Sequence, residues 1–228
     1  MSDSAPDPFA PSAPAEASPA VRAHTHASAA KSRRAWVVLL VVMALSIAAD
    51  LWSKSAAFKY IGDVPIVVER EAVLAVAADN PRQIGRLVPP HDVITVVPHA
   101  LELTLVLNPG AVFGIGPGQR MFFVGFTLVA MGFGLWMFAR WTGPRDHWAH
   151  AGIALVLGGG LGNLYDRLAY GCVRDFLHPL PGVKWPFGLR PFGGNGEFWP
   201  YVSNVADAFL LIGIAILLVF LWRGPKTR

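Results

Sequence analysis

The chain has 228 residues, of which 54% are hydrophobic and only 15% charged, against about 25% charged in an ordinary soluble domain. With a mean hydropathy of +0.45, 8 Trp and 14 Phe, this apolar excess excludes a water-soluble globule and implies a membrane protein. The single Cys172 excludes an internal disulfide framework and any CxxC site, and the net charge of +4 is spread beside apolar runs, which points to orientation in a bilayer rather than to nucleic acid.

Residues 1–34 are rich in Ala, Pro and Ser and end in Lys31, Arg33 and Arg34. Such a stretch buries too little apolar area to offset its ordering entropy, so a disordered cytoplasmic tail is expected. The apolar run 35–53 is longer than the hydrophobic part of a secretory signal and ends in Asp50-Leu51-Trp52-Ser53-Lys54, not in a small-residue cleavage site. It reads as an uncleaved anchor. Three further runs, 121–139, about 148–165 and 205–222, each reach about 18–20 residues, enough helix to cross a hydrocarbon core of about 30 Å. The third is interrupted by Gly158, Gly159, Gly160 and Gly162, small residues that let helix backbones approach within a bundle.

Lys31, Arg33 and Arg34 precede the first run, Arg140 and Arg145 link the second and third, and Arg223, Lys226 and Arg228 follow the fourth. Four spans place these groups on one side, which the positive-inside rule makes cytoplasmic. Both termini then lie inside, and segments 54–120 and 166–204 face outward. In the first outer segment, 94–97 and the alternating Leu101-Glu102-Leu103-Thr104-Leu105-Val106 read as strands of a small β element, and 73–79 reads as a short surface helix.

Ionisable groups at a membrane edge are costly and therefore candidates for function. Asp50, Asp166, Asp175 and Asp207 all stand at or beside the outer ends of the runs. Three have a structural reading as well. Asp50 and Lys54 have i, i+4 spacing that suits an ion pair, Asp166 adjoins Arg167, and Asp207 lies three residues after Asn204, where it would complement the start of a capped helix. Asp175, in Val173-Arg174-Asp175-Phe176, is the least easily explained in this way.

Two neighbouring carboxylates do not both ionise readily, so one keeps a proton while the other acts as a base. Such a pair activates water against an amide. The start of a helix favours a charged Asp207 and burial against Phe176 a neutral Asp175, although the pair titrates as a unit. There is no HExxH, GxSxG or P-loop sequence. His147 and His150 fall at the opposite end of the third run, where interfacial anchoring is expected, and Cys172 has no His within its own motif. Trp52, Trp199 and Tyr201 fit an interfacial aromatic belt.

Five stretches, in order along the runs, resemble the lipoprotein signal peptidases, the type II signal peptidases of bacteria. They are Asp50-Leu51-Trp52-Ser53-Lys54, Asn108-Pro109-Gly110-Ala111-Val112-Phe113-Gly114, Gly158-Gly159-Gly160-Leu161-Gly162-Asn163-Leu164-Tyr165-Asp166-Arg167, Gly171-Cys172-Val173-Arg174-Asp175-Phe176 and Asn204-Val205-Ala206-Asp207. The resemblance implies an all-α polytopic membrane protein: a peptidase domain over 35–228 with four transmembrane helices, a small extracytoplasmic β cradle and a short surface helix. It implies an aspartyl endopeptidase of the bacterial inner membrane, a monomer without metal or organic cofactor. Its partners would be membrane lipid and diacylglyceryl-modified prolipoproteins, cut just before the lipidated Cys.

Asp175 and Asp207 would be the catalytic pair by this resemblance, with Asn163 and Asn204 as hydrogen-bonding supports. Asn108, Arg167 and the neighbouring Gly110 would contact the substrate backbone, and Asp50, Lys54 and Asp166 would stabilise the site. The chain departs from the family pattern at Ser203, where an aromatic is usual, and in longer outer stretches around 63–92 and 178–200. A small transporter or proton relay is the rival reading, since clustered acids also serve ion pathways. Acids spread through the membrane depth would favour it, whereas these gather at one face. A second rival, an inactive homologue that binds lipidated peptides, is opposed by the intact Asp175 and Asp207.

Overall fold

The computed structural model describes residues 28–110, 120–190 and 196–223. Among the described residues, five α-helices and three strands follow in the order α1 (Arg33–Tyr60), α2 (Arg70–Asp79), β1 (Ile94–Val97), β2 (Leu101–Asn108), α3 (Arg120–Trp141), α4 (His147–Ala169), β3 (Val173–Pro179) and α5 (Val205–Trp222). Most of the tail expected at 1–34 lies outside the described residues. Its last part is ordered: Ser28 Oγ donates to the Ala139 carbonyl at 2.5 Å, and the Ala29 amide donates to the Thr142 carbonyl at 3.0 Å. Ser32 then caps α1. Ala29 is fully buried beside Leu39 and Phe138, so a small residue inside an otherwise polar, low-complexity stretch anchors this segment against α1 and the end of α3.

Three helices, α1, α3 and α5, carry windows long and apolar enough to cross a membrane. They display side chains such as Leu45, Phe126, Val129 and Leu218 on their outer surfaces. The 28 residues of α1 span about 42 Å at 1.5 Å per residue, longer than a bilayer core of about 30 Å, and Ala57 and Phe58 at its end pack against Val73 and Ile84. The fourth long helix, α4, is less apolar because of where it lies. It packs against α1, α3 and α5, so protein rather than lipid surrounds it. Close approach explains its glycines. A Cβ at Gly158 would collide with Ser46, one at Gly162 with Asp50, and one at Gly159 would come within 2.5 Å of the Ala206 carbonyl oxygen.

The strands form one antiparallel sheet in the order β1-β2-β3. A sheet that carries one of the four acids makes all-α too coarse a description of this fold. β1 and β2 lie where alternation placed them, whereas β3 was not anticipated. It pairs with β2 through Val106–Asp175, Leu107–Arg174 and Asn108–Val173, and Ser203 bridges its other side, opposite Leu177. The position usually aromatic in the family thus serves here through its backbone: the Ser203 carbonyl accepts from Phe176 and Leu177 at 2.9 and 2.8 Å, and its amide donates to Leu177 at 2.7 Å.

The longer stretches around 63–92 and 178–200 also have structure among the described residues. The surface helix expected at 73–79 extends over Arg70–Asp79. Val73 from α2 and Ile84 from the turn that follows bury against Phe58, Leu105, Cys172 and Phe176; each such aliphatic side chain removed from water contributes about 1.5–3 kcal/mol. In the later stretch, the Trp185 amide donates to the Gly196 carbonyl and the Phe198 amide to the Val183 carbonyl, so Lys184 and Glu197 pair antiparallel. Gly171, at φ +81°, reverses the chain just after α4, where Tyr170 is the C-cap. This is the left-handed position that helix ends commonly reserve for glycine, and the reversal sends β3 back over the site.

Candidate active site

The four acids come together with the residues expected around them, drawn from α1, α4, β2, β3 and the start of α5. Asn204 begins α5 in a capping box: its side-chain oxygen accepts from the Asp207 amide at 3.1 Å, and the Asp207 carboxylate accepts from the Asn204 amide at 3.2 Å. This reciprocal arrangement satisfies two amides that a helix start would otherwise leave unpaired. The same asparagine reaches the other acid, its Nδ2 donating to Asp175 at 2.6 Å. Asn204 thus links the two acids, through its side chain to the Asp175 carboxylate and through its backbone amide to the Asp207 carboxylate.

Each acid has a second amide donor. Asn108 Nδ2 donates to Asp175 at 2.9 Å, and Asn163 Nδ2 to Asp207 at 2.9 Å. Asp175 is 1% exposed and Asp207 8%. Burial pushes the Asp175 carboxyl up to about 7, and the Asp207 charge pushes it the same way against the hydrogen bonds from Asn108 and Asn204. An unfolded aspartate releases this proton near pH 4. Between about pH 4 and that raised value the folded chain therefore binds more protons than the unfolded one, so the stability contributed by this group falls as pH rises through the window. Asp175→Asn removes the dependence: its melting temperature in detergent should gain on the wild type from pH 5 to pH 7.5. A difference constant with pH would contradict the assignment.

Beneath the pair lies a buried ionic network. Lys54 Nζ, with no exposed surface, donates to Asp50 at 2.8 Å and to Asn163 Oδ1 at 2.8 Å, and lies 3.7 Å from Asp166. The remaining Asp50 oxygen accepts from the Ala206 amide at 2.9 Å, tying α1 to the first turn of α5. The i, i+4 pair expected from sequence is therefore present, and it reaches further than its own helix.

The partner of Asp166 differs from the expectation. Arg167 adjoins it in sequence, but Arg174 holds it, through Nη2 at 2.9 Å, Nε at 3.2 Å and its backbone amide at 2.9 Å. The reversal at Gly171 brings Arg174 back over the end of α4, a contact that adjacency in sequence does not show. Arg167 instead donates to the carbonyls of Asn163 and Gly110 at 3.1 and 2.9 Å. Gly110 is fixed in turn by its amide, which donates to Asn108 at 2.9 Å. Arg174, in sequence the one neighbour that could pair with Asp175, holds Asp166 instead, so its support of the network was not anticipated.

Cys172 is buried, and desolvation raises its thiol to about 12, so it is not poised as a nucleophile. His150 lies far along α4 from the acids. It is fully buried, with its ring 5.1 Å from that of Phe138, which replaces the expected interfacial anchoring by core packing. Trp52 is 74% exposed, consistent in chemistry with a lipid-facing belt.

Comparison with known proteins places this arrangement. A lipoprotein signal peptidase of Desulfitobacterium hafniense (strain DSM 10664 / DCB-2) is 32% identical over 159 residues, covering 69% of this chain and 89% of that protein. One from Halothermothrix orenii is 35% identical over 134 residues, covering 59% and 79%. A solved bacterial membrane enzyme, determined by the in meso method at 2.3 Å, shares the fold with a TM-score of 0.55 at 20% identity, over 90% of this chain and 99% of the other. The family model described as signal peptidase (SPase) II matches residues 41–223. That match contains every side chain of the buried acid–amide cluster, from Asp50 to Asp207, and the chain belongs to the signal peptidase II family.

Proposed function

We propose that this chain is a membrane aspartyl endopeptidase that removes the signal peptide from diacylglyceryl-modified prolipoproteins, cutting before the lipidated Cys. Membership of a family of lipoprotein signal peptidases supports the substrate class. The observation that carries the chemistry is the burial of Asp175 and Asp207 on two different elements with Asn204 hydrogen-bonded to both. Asp207, at the start of α5, is favoured as the charged partner by the helix dipole. Asp175, held protonated towards neutral pH by its burial, is the acid. Asp207 takes the proton of a water as it attacks the scissile carbonyl. Asp175 delivers its proton to the carbonyl oxygen; as the C–N bond breaks, Asp207 passes the proton it took from water to the leaving nitrogen, and the hydroxyl of the collapsing gem-diol returns a proton to Asp175.

Asn108, Gly110 and Arg167 form a connected edge beside Asp175, suited to holding an extended substrate backbone. In this reading α4 spans the bilayer with the three more apolar helices, and both termini are cytoplasmic. The site opens at the outer face of the bacterial inner membrane, and the enzyme acts as a monomer without cofactor.

The test is purified full-length protein with a diacylglyceryl-modified prolipoprotein, watched for signal-peptide release, alongside the unmodified precursor. Release from the lipidated precursor alone is expected, and its absence in folded enzyme would overturn the reading. EDTA should leave turnover unchanged, because two carboxylates suffice to activate water; a loss restored by a divalent ion would refute the metal-independent mechanism.

A further inference from the structure

Arg174 lies beside Asp175 on β3 and takes no direct part in the acid pair. It is 5% exposed, grips Asp166 with two side-chain nitrogens and its backbone amide, and lays its guanidinium over the Tyr170 ring at 4.2 Å. From Asp166 the contacts run on to Lys54 at 3.7 Å, from Lys54 to Asn163 Oδ1 at 2.8 Å, and from Asn163 Nδ2 to Asp207 at 2.9 Å. The Asn163 oxygen also accepts from Asn204 at 3.1 Å, the residue that donates to Asp175.

The buried ions of this network balance: Lys54 and Arg174 against Asp50 and Asp166. Balance matters because Lys54 has two acids to satisfy and an amide oxygen to hold. With Arg174 bound to Asp166, the ammonium sits on Asp50 and Asn163 and stands back from Asp166. Without that guanidinium, an uncompensated Asp166 would draw the ammonium towards itself and off Asn163, and one net negative charge would be left below the acid pair. Buried charges are weakly screened, and a nearby like charge disfavours ionisation of a carboxyl.

We propose that Arg174 is a positioning residue for the reaction of Asp175 and Asp207, acting through Asp166, Lys54 and Asn163 by keeping that buried network neutral. The inference rests on the peptidase reading above. The other titratable groups around the network are Arg167 and Tyr170 at the end of α4, Cys172 and Asp175 on the returning strand, and Asp207 on α5. None of them donates to Asp166 as Arg174 does.

The experiment is the pH profile of kcat and of KM on lipidated precursor for wild type, Arg174→Gln, Arg174→Lys and the double variant Arg174→Gln/Asp166→Asn. An inactive wild type would sink the peptidase reading itself, so the two failures are separable. Arg174→Gln should lower kcat by roughly tenfold with KM within about twofold, and move both limbs of the kcat profile to higher pH by about half a unit or more. Arg174→Lys keeps the charge and loses the fork, so its limbs should stay in place while kcat falls. The double variant restores neutrality, so its limbs should return to the wild-type positions. A part that only holds the fold together changes the amount of active enzyme and leaves the limbs unmoved. The proposal is overturned by an Arg174→Gln profile superimposable on the wild type, or by a double variant shifted as far as the single. Should Arg174→Gln yield no folded protein, Asp166→Asn decides from the opposite side: it leaves one net positive charge below the acid pair, so its limbs should move to lower pH, and limbs superimposable on the wild type refute the proposal.

Discussion

Asp175→Asn and Asp207→Asn are each expected to lower turnover of lipidated precursor by roughly 10²–10⁴-fold, the range for losing general acid–base catalysis, and by more where the two act as a unit. The substitution keeps size and one acceptor oxygen, turns the other into a donor, and removes the exchangeable proton. An amide at 175 still accepts through its oxygen from Asn108 or Asn204, which donate to the acid at 2.9 and 2.6 Å. At 207 the capping box keeps its backbone half, the Asp207 amide donating to Asn204. The variants should therefore fold and bind precursor, so that the loss appears in kcat. Cleavage assays with a parallel binding measurement decide it, and near-normal turnover by either variant in a folded sample would overthrow the pair.

The second large effect falls on stability. Asp166→Asn leaves the Arg174 guanidinium, 5% exposed, without its anion, and leaves Lys54 with Asp50 alone. Removing one member of a buried ion pair costs about 3–5 kcal/mol, because the other is stranded away from water. Against a usual folding margin of about 5–15 kcal/mol, that should show as lower yield and a melting temperature down by on the order of 10 °C. Asp50→Asn weakens both the Lys54 pair and the acceptor for the Ala206 amide and should act in the same direction. Detergent melting curves for all four acid variants separate the classes: 50 and 166 lose stability, whereas 175 and 207 lose turnover. Unchanged melting of Asp166→Asn would remove the structural role assigned to it.

Much of this site was legible because charge in an apolar chain is expensive wherever it lies. Asp50, Asp166, Asp175 and Asp207 stand out against their surroundings, and the acids converge in the folded chain as the sequence suggested. β2 was legible from its alternation, which follows from having one face on the cluster of Leu105 and Leu107. β3 was not, because Val173, Arg174, Asp175 and Phe176 are all buried, leaving no alternation to read. Its pairing is decided by β2 and Ser203, far away in sequence. The Asp166–Arg174 pair was hidden for a related reason: eight residues of separation become contact only through a reversal at Gly171. Helix α4 looked weak as an apolar run because neighbouring helices, rather than lipid, cover it. Residues 28–32 looked like tail because composition does not show that Ala29 fits between α1 and α3.

The bond between Asp50 and the Ala206 amide has a bearing on biosynthesis. It joins the first long helix to the last, across 156 residues of chain, and the acid pair itself is complete only when Asp207 arrives. A chain emerging from the ribosome carries Asp50, Lys54 and Asn163 long before it carries Asn204 and Asp207. In the peptidase reading, a chain not yet extended to Asp207 is inert towards peptide bonds. That latency follows from placing one half of the proposed proton machinery at the start of α5, after the other residues of the cluster.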